Sequence, residues 1–174
     1  HVLLGSGTAP TPEQRAHFES MAAARAARVP LQHVTGVMYF RYLELVSRPG
    51  CFIVRPETEL VAEEAITALR AVVSRPALAV DLCTGSGAIA LAVATEVPGV
   101  RVIGVELSDS AMAVARENNA RYGSVVELIQ GDARTELSNF VGQVDVVVTN
   151  PPYVPPTHEV SVEALEDPAL ALWG

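Results

Sequence analysis

Short apolar runs alternate with amphipathic segments over the second half of the chain. Ala77–Leu82, Val100–Val105, Val125–Ile129 and Val144–Thr149 each read as a strand, bounded by Gly, Asp or Asn. Between the first two, Ser86–Thr95 reads as a helix. Ser108 caps another, which ends near Tyr122 with Gly123 placed as its C′ residue. Strands and helices alternating at this pitch predict an α/β fold with a parallel, doubly wound, Rossmann-like sheet. A complete sheet of this class has more than four strands. The expectation is that C-terminal strands are missing from this sequence and that only a short, Pro-rich, acidic tail follows the fourth.

Upstream, the texture differs. Thr11-Pro12-Glu13-Gln14 combines an N-cap, a proline at the first helical position and a capping-box glutamine. The helix it opens is expected to run to about Arg28 before Pro30, with Phe18 and Met21 on one apolar face. Aromatic and β-branched residues then predict a β-hairpin over Val37–Val46 and Cys51–Val54. A further helix is expected from an N-cap at Thr58 to about Val73, with Leu60, Val61, Ala65, Leu69 and Val72 on one side. The implied division is 1–30 as the remnant of a helical N-terminal subdomain, 31–56 as a hairpin connector and 57–174 as the sheet domain.

Composition narrows the function classes. Of 174 residues, 49% are hydrophobic and 18% charged, which suffices for a buried core. No apolar run reaches the length of a membrane span and no signal pattern opens the chain, so a soluble chain is expected. The net charge is −8 and all 12 basic residues are arginine. Such a chain lacks the field for non-specific binding to a phosphate backbone, and without lysine it is no Walker NTPase. Cys51 and Cys83 stand in no metal or redox spacing and are expected as free thiols in a reducing cytoplasm. The four histidines are dispersed, so no metal site is expected.

In an open α/β sheet, ligands bind beyond the carboxyl ends of the strands, where the suggestive residues here fall. Asp81-Leu82-Cys83-Thr84-Gly85-Ser86-Gly87 ends the first strand in a turn that allows close ligand approach before a helix N-terminus. Gly85 to Ala90 also fits the G-x-G-x-x-A dinucleotide fingerprint, so the turn alone leaves the cofactor open. Glu106, about 20 residues later, is placed to accept hydrogen bonds from two ribose hydroxyls. Asp132, in Gln130-Gly131-Asp132-Ala133, either accepts from an adenine amino group or simply forms a turn. Asn150-Pro151-Pro152-Tyr153 follows the fourth strand. Its prolines carry no N–H and aim their carbonyls rigidly. The Asn150 oxygen and the Pro151 carbonyl can together accept both hydrogens of a planar NH2 group, against which Tyr153 offers a flat face.

With these residues the chain resembles the class I S-adenosylmethionine (SAM)-dependent methyltransferases, and more narrowly the peptide chain release factor glutamine N5-methyltransferase family. Pro30-Leu31-Gln32-His33-Val34-Thr35-Gly36, Phe40 and Arg55-Pro56-Glu57-Thr58-Glu59 carry the narrower likeness. The resemblance implies that Asp81 belongs to the cofactor site and that the turn Cys83, Thr84, Gly85, Ser86 and Gly87 wraps the methionine part of SAM. Glu106 would hold the ribose, Asp132 and Ala133 would border the adenine, and Asn150 would complete the cofactor site. Asn150, Pro151 and Tyr153 would be catalytic and, with Pro152, would grip the glutamine of the release factor's Gly-Gly-Gln motif, leaving S-adenosylhomocysteine. A monomer acting on a protein substrate, with no direct nucleic acid or membrane contact, is expected. Cys83 stands where the family usually has glycine, a change expected to be tolerated at negative φ, and Ala133 thins one wall of the adenine pocket.

Other readings stay open. An adenine-N6 nucleic-acid methyltransferase shares the Asn-Pro-Pro-Tyr motif but would want a basic groove. A ribosomal-protein glutamine methyltransferase shares the chemistry. A nicotinamide oxidoreductase would use the glycine turn but has no need of the proline motif. A non-catalytic SAM-binding module needs only the truncated sheet.

Overall fold

The structure, a computed structural model, describes residues 9–72 and 75–174. Helix α1 (Pro12–Ala26) opens with the expected capping box. Gln14 N donates to Thr11 Oγ1 at 3.2 Å and Thr11 N donates to Gln14 Oε1 at 2.9 Å. It ends two residues before the expected Arg28, which takes a positive φ of 69°. The helix buries none of its residues, and Phe18 is exposed. A short helix α2 (Leu31–Thr35) leads through Gly36, at φ 74°, into strand β1 (Val37–Phe40).

The hairpin is tighter than its sequence suggests. Strand β1 pairs antiparallel with β2 (Leu43–Val46) across a turn at Arg41-Tyr42, while Cys51–Val54 is not in a strand. The turn lies inside the run read as one strand, because acidic side chains from elsewhere fix it. Arg41 N donates to Glu59 Oε1 at 2.9 Å, and its guanidinium pairs with Glu96 at 2.6 Å and Glu63 at 2.6 Å.

Helix α3 (Thr58–Arg70) starts one residue earlier in its own register than expected. Thr58 is its first residue rather than its N-cap, which is Glu57. Turn bonds from Thr58 N to Arg55 O, Glu59 N to Pro56 O and Leu60 N to Glu57 O satisfy the first N–H groups, so no side-chain cap is needed. The buried face is Thr58, Ala62, Ala65, Ile66 and Leu69; Leu60 and Val61 face outward, contrary to expectation. The helix ends before Val73, which lies outside the described residues.

The remaining elements are β3 (Leu78–Leu82), α4 (Ala88–Glu96), β4 (Arg101–Glu106), α5 (Asp109–Arg121), β5 (Glu127–Gln130) and β6 (Val146–Thr149). The four strands form one parallel sheet in the order β5-β4-β3-β6. Chain order runs outward from β3 through β4 to β5, then returns to the other side of β3. That reversal is the topological switch point at which such sheets bind ligands. Register brings the strand ends level: Leu82 lies opposite both Val105 and Thr149. Ala79, Val102 and Val148 pack with α3 and α4 on one face. Leu78, Val80, Ile103 and Val105 form the other, covered by Leu137, Phe140 and Val144. The acidic tail folds back, and Val154 bridges to Trp173 beside a short helix α6 (Ala169–Leu172).

Candidate active site

A cleft of about 370 Å3 opens at the carboxyl ends of the four strands, within the usual range for small-molecule sites of roughly 300–1,000 Å3. Residues 83–86 after β3, 106–108 after β4, 131–134 after β5 and 150–154 after β6 all line it. Four segments chosen from sequence as separate strand ends thus share one cavity.

The turn after β3 is built on left-handed backbone. Gly85 and Gly87 have φ of 59° and 83°, as glycine readily allows. Cys83 has φ 58°, outside the negative range in which a side chain in place of glycine is expected to be tolerated. A side chain there is strained, and the turn's own bonds hold it: Thr84 N donates to Val105 O at 3.0 Å and Gly87 N to Thr84 O at 2.8 Å. The thiol is exposed to the cleft, and burial of its surroundings raises its pKa, with Glu106 and Asp81 adding to the effect.

Asp81 does not line the cleft. Its carboxylate lies beneath the turn, where Oδ2 accepts from Thr84 Oγ1 at 2.6 Å and from Ala90 N at 3.1 Å. Oδ1 is buried without a partner. Burial pushes its pKa up to about 7, against the hydrogen bonds from Thr84 and Ala90 and with help from Glu106. Asp81 thus shapes the turn from behind, because the strand's last inward-facing position points under the loop rather than past its end.

Glu106 closes the opposite side. Oε2 accepts from Gly85 N and Oε1 from Ser108 N, each at 2.8 Å, so the carboxylate ties the β3 turn to the start of α5. Each oxygen retains a lone pair. Asp132 is held by Arg134, whose backbone N donates to Oδ1 at 2.9 Å and whose guanidinium engages both oxygens. That pairing lowers the Asp132 pKa to about 2. Ala133 lies between them on the cleft wall.

At the end of β6, Asn150 Nδ2 donates to Thr58 Oγ1 at 3.3 Å. With its nitrogen so engaged, Asn150 Oδ1 accepts no hydrogen bond among the described residues. Pro151 and Pro152 continue along the cleft, and Tyr153 stands 73% exposed at its mouth.

Several contributors were not legible as site residues. Phe52 and Val54 form one apolar wall, and Pro168, Leu170 and Leu172 from the tail form another. Asn118, fully buried on α5, donates to Ser86 O at 3.0 Å and accepts from Val46 N at 2.8 Å, linking turn and hairpin. A polar residue on the inward face of α5 was the signal available for it. Among the described residues, no group of His, Cys, Asp or Glu is arranged to hold a metal ion, and no helix is long and apolar enough to cross a membrane.

Comparison with known proteins shows the family. Residues 79–166 match a family model described as a methyltransferase domain, and residues 1–36 match one described as the PrmC N-terminal domain. A release factor glutamine methyltransferase of Streptomyces coelicolor is 54% identical, over 95% of this chain and 59% of that protein. Its counterpart in Mycolicibacterium smegmatis is 47% identical, over 95% of this chain and 58% of that protein. A 4-amino-L-phenylalanine/4-methylamino-L-phenylalanine methyltransferase of Streptomyces pristinaespiralis is 43% identical, over 94% of this chain and 56% of its own length. The chain therefore spans less than two thirds of these relatives. A SAM-dependent methyltransferase of Agrobacterium tumefaciens has a similar fold, with TM-score 0.56 and 24% identity over 67% of this chain and 39% of that one.

Proposed function

This chain belongs to the methyltransferase-domain family, and from that membership we propose that the protein methylates the side-chain amide nitrogen of a glutamine in a peptide chain release factor, using SAM. One observation carries the reading. Asn150 and Pro151 line the same cleft as the β3 turn and Glu106, and the Asn150 nitrogen is engaged by Thr58. In this reading the Asn150 oxygen and the Pro151 carbonyl supply an acceptor pair for a planar NH2 group beside a site suited to a ribose-bearing cofactor. The residues present fit that cofactor: the Glu106 carboxylate can accept from two hydroxyls, and the turn offers close backbone approach.

When bound, SAM supplies a sulfonium-attached methyl group, transferred in line and leaving S-adenosylhomocysteine. In this reading, the residues Cys83, Thr84, Gly85 and Ser86 border its methionine part, Glu106 holds the ribose, and Asp132 and Ala133 border the purine. An amide nitrogen is a weak nucleophile because its lone pair is delocalised into the carbonyl. Asn150 Oδ1 and the Pro151 carbonyl accept the two amide hydrogens, orienting the nitrogen and favouring the positive charge that develops on it. Pro152 keeps the segment rigid, and Tyr153 covers the amide face at the mouth. The nitrogen becomes acidic as it is methylated, so no strong base is required.

The net charge of −8 supports a protein substrate over nucleic acid, and we take the protein to act as a monomer. Free Cys51 and Cys83 support a reducing, cytoplasmic compartment. Incubation of the full-length protein with SAM and purified release factor, followed by peptide mass spectrometry, tests the proposal. One methyl on the Gly-Gly-Gln glutamine is expected. Methylation of 4-amino-L-phenylalanine instead, with release factor untouched, overturns it.

A further inference from the structure

The apolar walls at the front of the cleft come from two segments outside the sheet, and one ion pair joins them. Asp167 stands at the head of the tail wall, immediately before Pro168, and its side chain is 0% exposed. Its Oδ2 accepts from Arg55 Nη2, and its Oδ1 accepts from Ile53 N at 3.0 Å. Arg55 Nη1 donates to Ile53 O at 2.7 Å, and the guanidinium lies 4.8 Å from the centre of the Phe52 ring. Arg55 and Asp167 therefore grip both polar groups of the Ile53 backbone while Arg55 covers Phe52.

Ile53 is itself buried at 3% exposure, and its neighbours Phe52 and Val54 line the cleft. Across from them, Pro168, Leu170 and Leu172 follow directly from Asp167. A buried carboxylate needs its partners to remain in place, so the spacing of the two walls is locked to this contact. Other ties of the tail are the Val154–Trp173 bridge at its far end and the half-buried Arg25–Glu163 pair, which Arg28 joins at 3.9 Å.

We propose that Arg55 and Asp167 are positioning residues whose clasp sets the spacing of the two apolar walls of the cleft and so the placement of the substrate side chain. The proposal rests on the reading of the cleft as an amide-methylating site. The turn after β3 and Glu106 have bonds of their own, Gly85 N to Glu106 Oε2 and Thr84 N to Val105 O, and keep them when the clasp opens.

The test uses full-length protein carrying Asp167→Asn or Arg55→Lys. Asparagine keeps an acceptor for Ile53 N but removes the charge; lysine keeps the charge but loses the planar fork that spans Ile53 O and Asp167. Hydrogen exchange at residues 168–173 is expected to quicken by about tenfold or more, with α4 unchanged. KM for release factor is expected to rise by about tenfold or more, with SAM affinity held within about twofold. Unchanged exchange at 168–173 overturns the clasp. So does a loss of SAM affinity in step with faster exchange in α4, which marks general destabilisation. Should either variant fold poorly, Leu170→Ala, at an exposed wall position, is expected to raise the same KM alone; an unaffected KM overturns the assignment of the wall. Faster exchange at 168–173 in a protein whose unmodified form methylates no glutamine upholds the clasp and overturns the proposed function.

Discussion

Thr58 and Asn150 lie 92 residues apart, and the Asn150 amide nitrogen donates to the Thr58 hydroxyl at 3.3 Å. Thr58 is available because turn bonds satisfy the start of α3 without a side-chain cap. A residue that reads as a helix cap thus orients an acceptor at the end of β6. Asn150→Ala should lower the methylation rate by roughly a hundredfold, about 2.7 kcal/mol, with SAM affinity nearly unchanged. Thr58→Val should cost less, about 1 kcal/mol, and Thr58→Ser should restore the rate. Steady-state kinetics beside calorimetry separates these outcomes. Full activity in Asn150→Ala would remove that residue from the mechanism.

Glu106 is expected to govern SAM affinity. Glu106→Ala removes a charged acceptor from two hydroxyls and also frees Gly85 N and Ser108 N. The expected loss is about 1.5–3 kcal/mol of binding free energy, read by isothermal titration. An unchanged dissociation constant would count against the ribose assignment.

Asp81 predicts a pH-dependent stability. Its pKa is raised from 3.8 to about 7 by burial, so the folded chain holds a proton that the unfolded chain releases. Its contribution is full below about pH 4 and is lost as pH rises toward 7. Asp81→Asn should match wild type near pH 4 and exceed it at pH 7, by on the order of 3 kcal/mol. Urea midpoints measured across that window check it. A constant difference between the two proteins would refute the titration.

Cys83 is expected to be a site of recoverable strain. Left-handed backbone costs a residue with a side chain roughly 1–2 kcal/mol, and glycine's extra freedom when unfolded returns roughly 0.5–1 kcal/mol of that. At φ 58°, Cys83→Gly should therefore raise stability by up to about 1 kcal/mol, a Tm gain of about 2–4 °C. A lower Tm would show that the thiol's contacts outweigh the backbone strain.

The sequence by itself determined the parallel α/β sheet, the four strand ends that line the cleft and the capped start of α1. Each of these follows from local rules: apolar runs bury, glycines permit tight turns, and Thr-Pro-Glu-Gln satisfies helix N–H groups. Only the tertiary structure decided how Asp81, Thr58, Cys83 and Asp167 are used. The β3 turn folds over Asp81, so a carboxylate at a strand end lies beneath the cleft rather than in it. The hairpin turn falls at Arg41 because Glu59, Glu63 and Glu96 converge there from two helices. The acidic tail becomes a cleft wall because Asp167 meets Arg55 across 112 positions. Such pairings depend on which distant groups the fold brings within hydrogen-bond reach, and no local pattern encodes that distance.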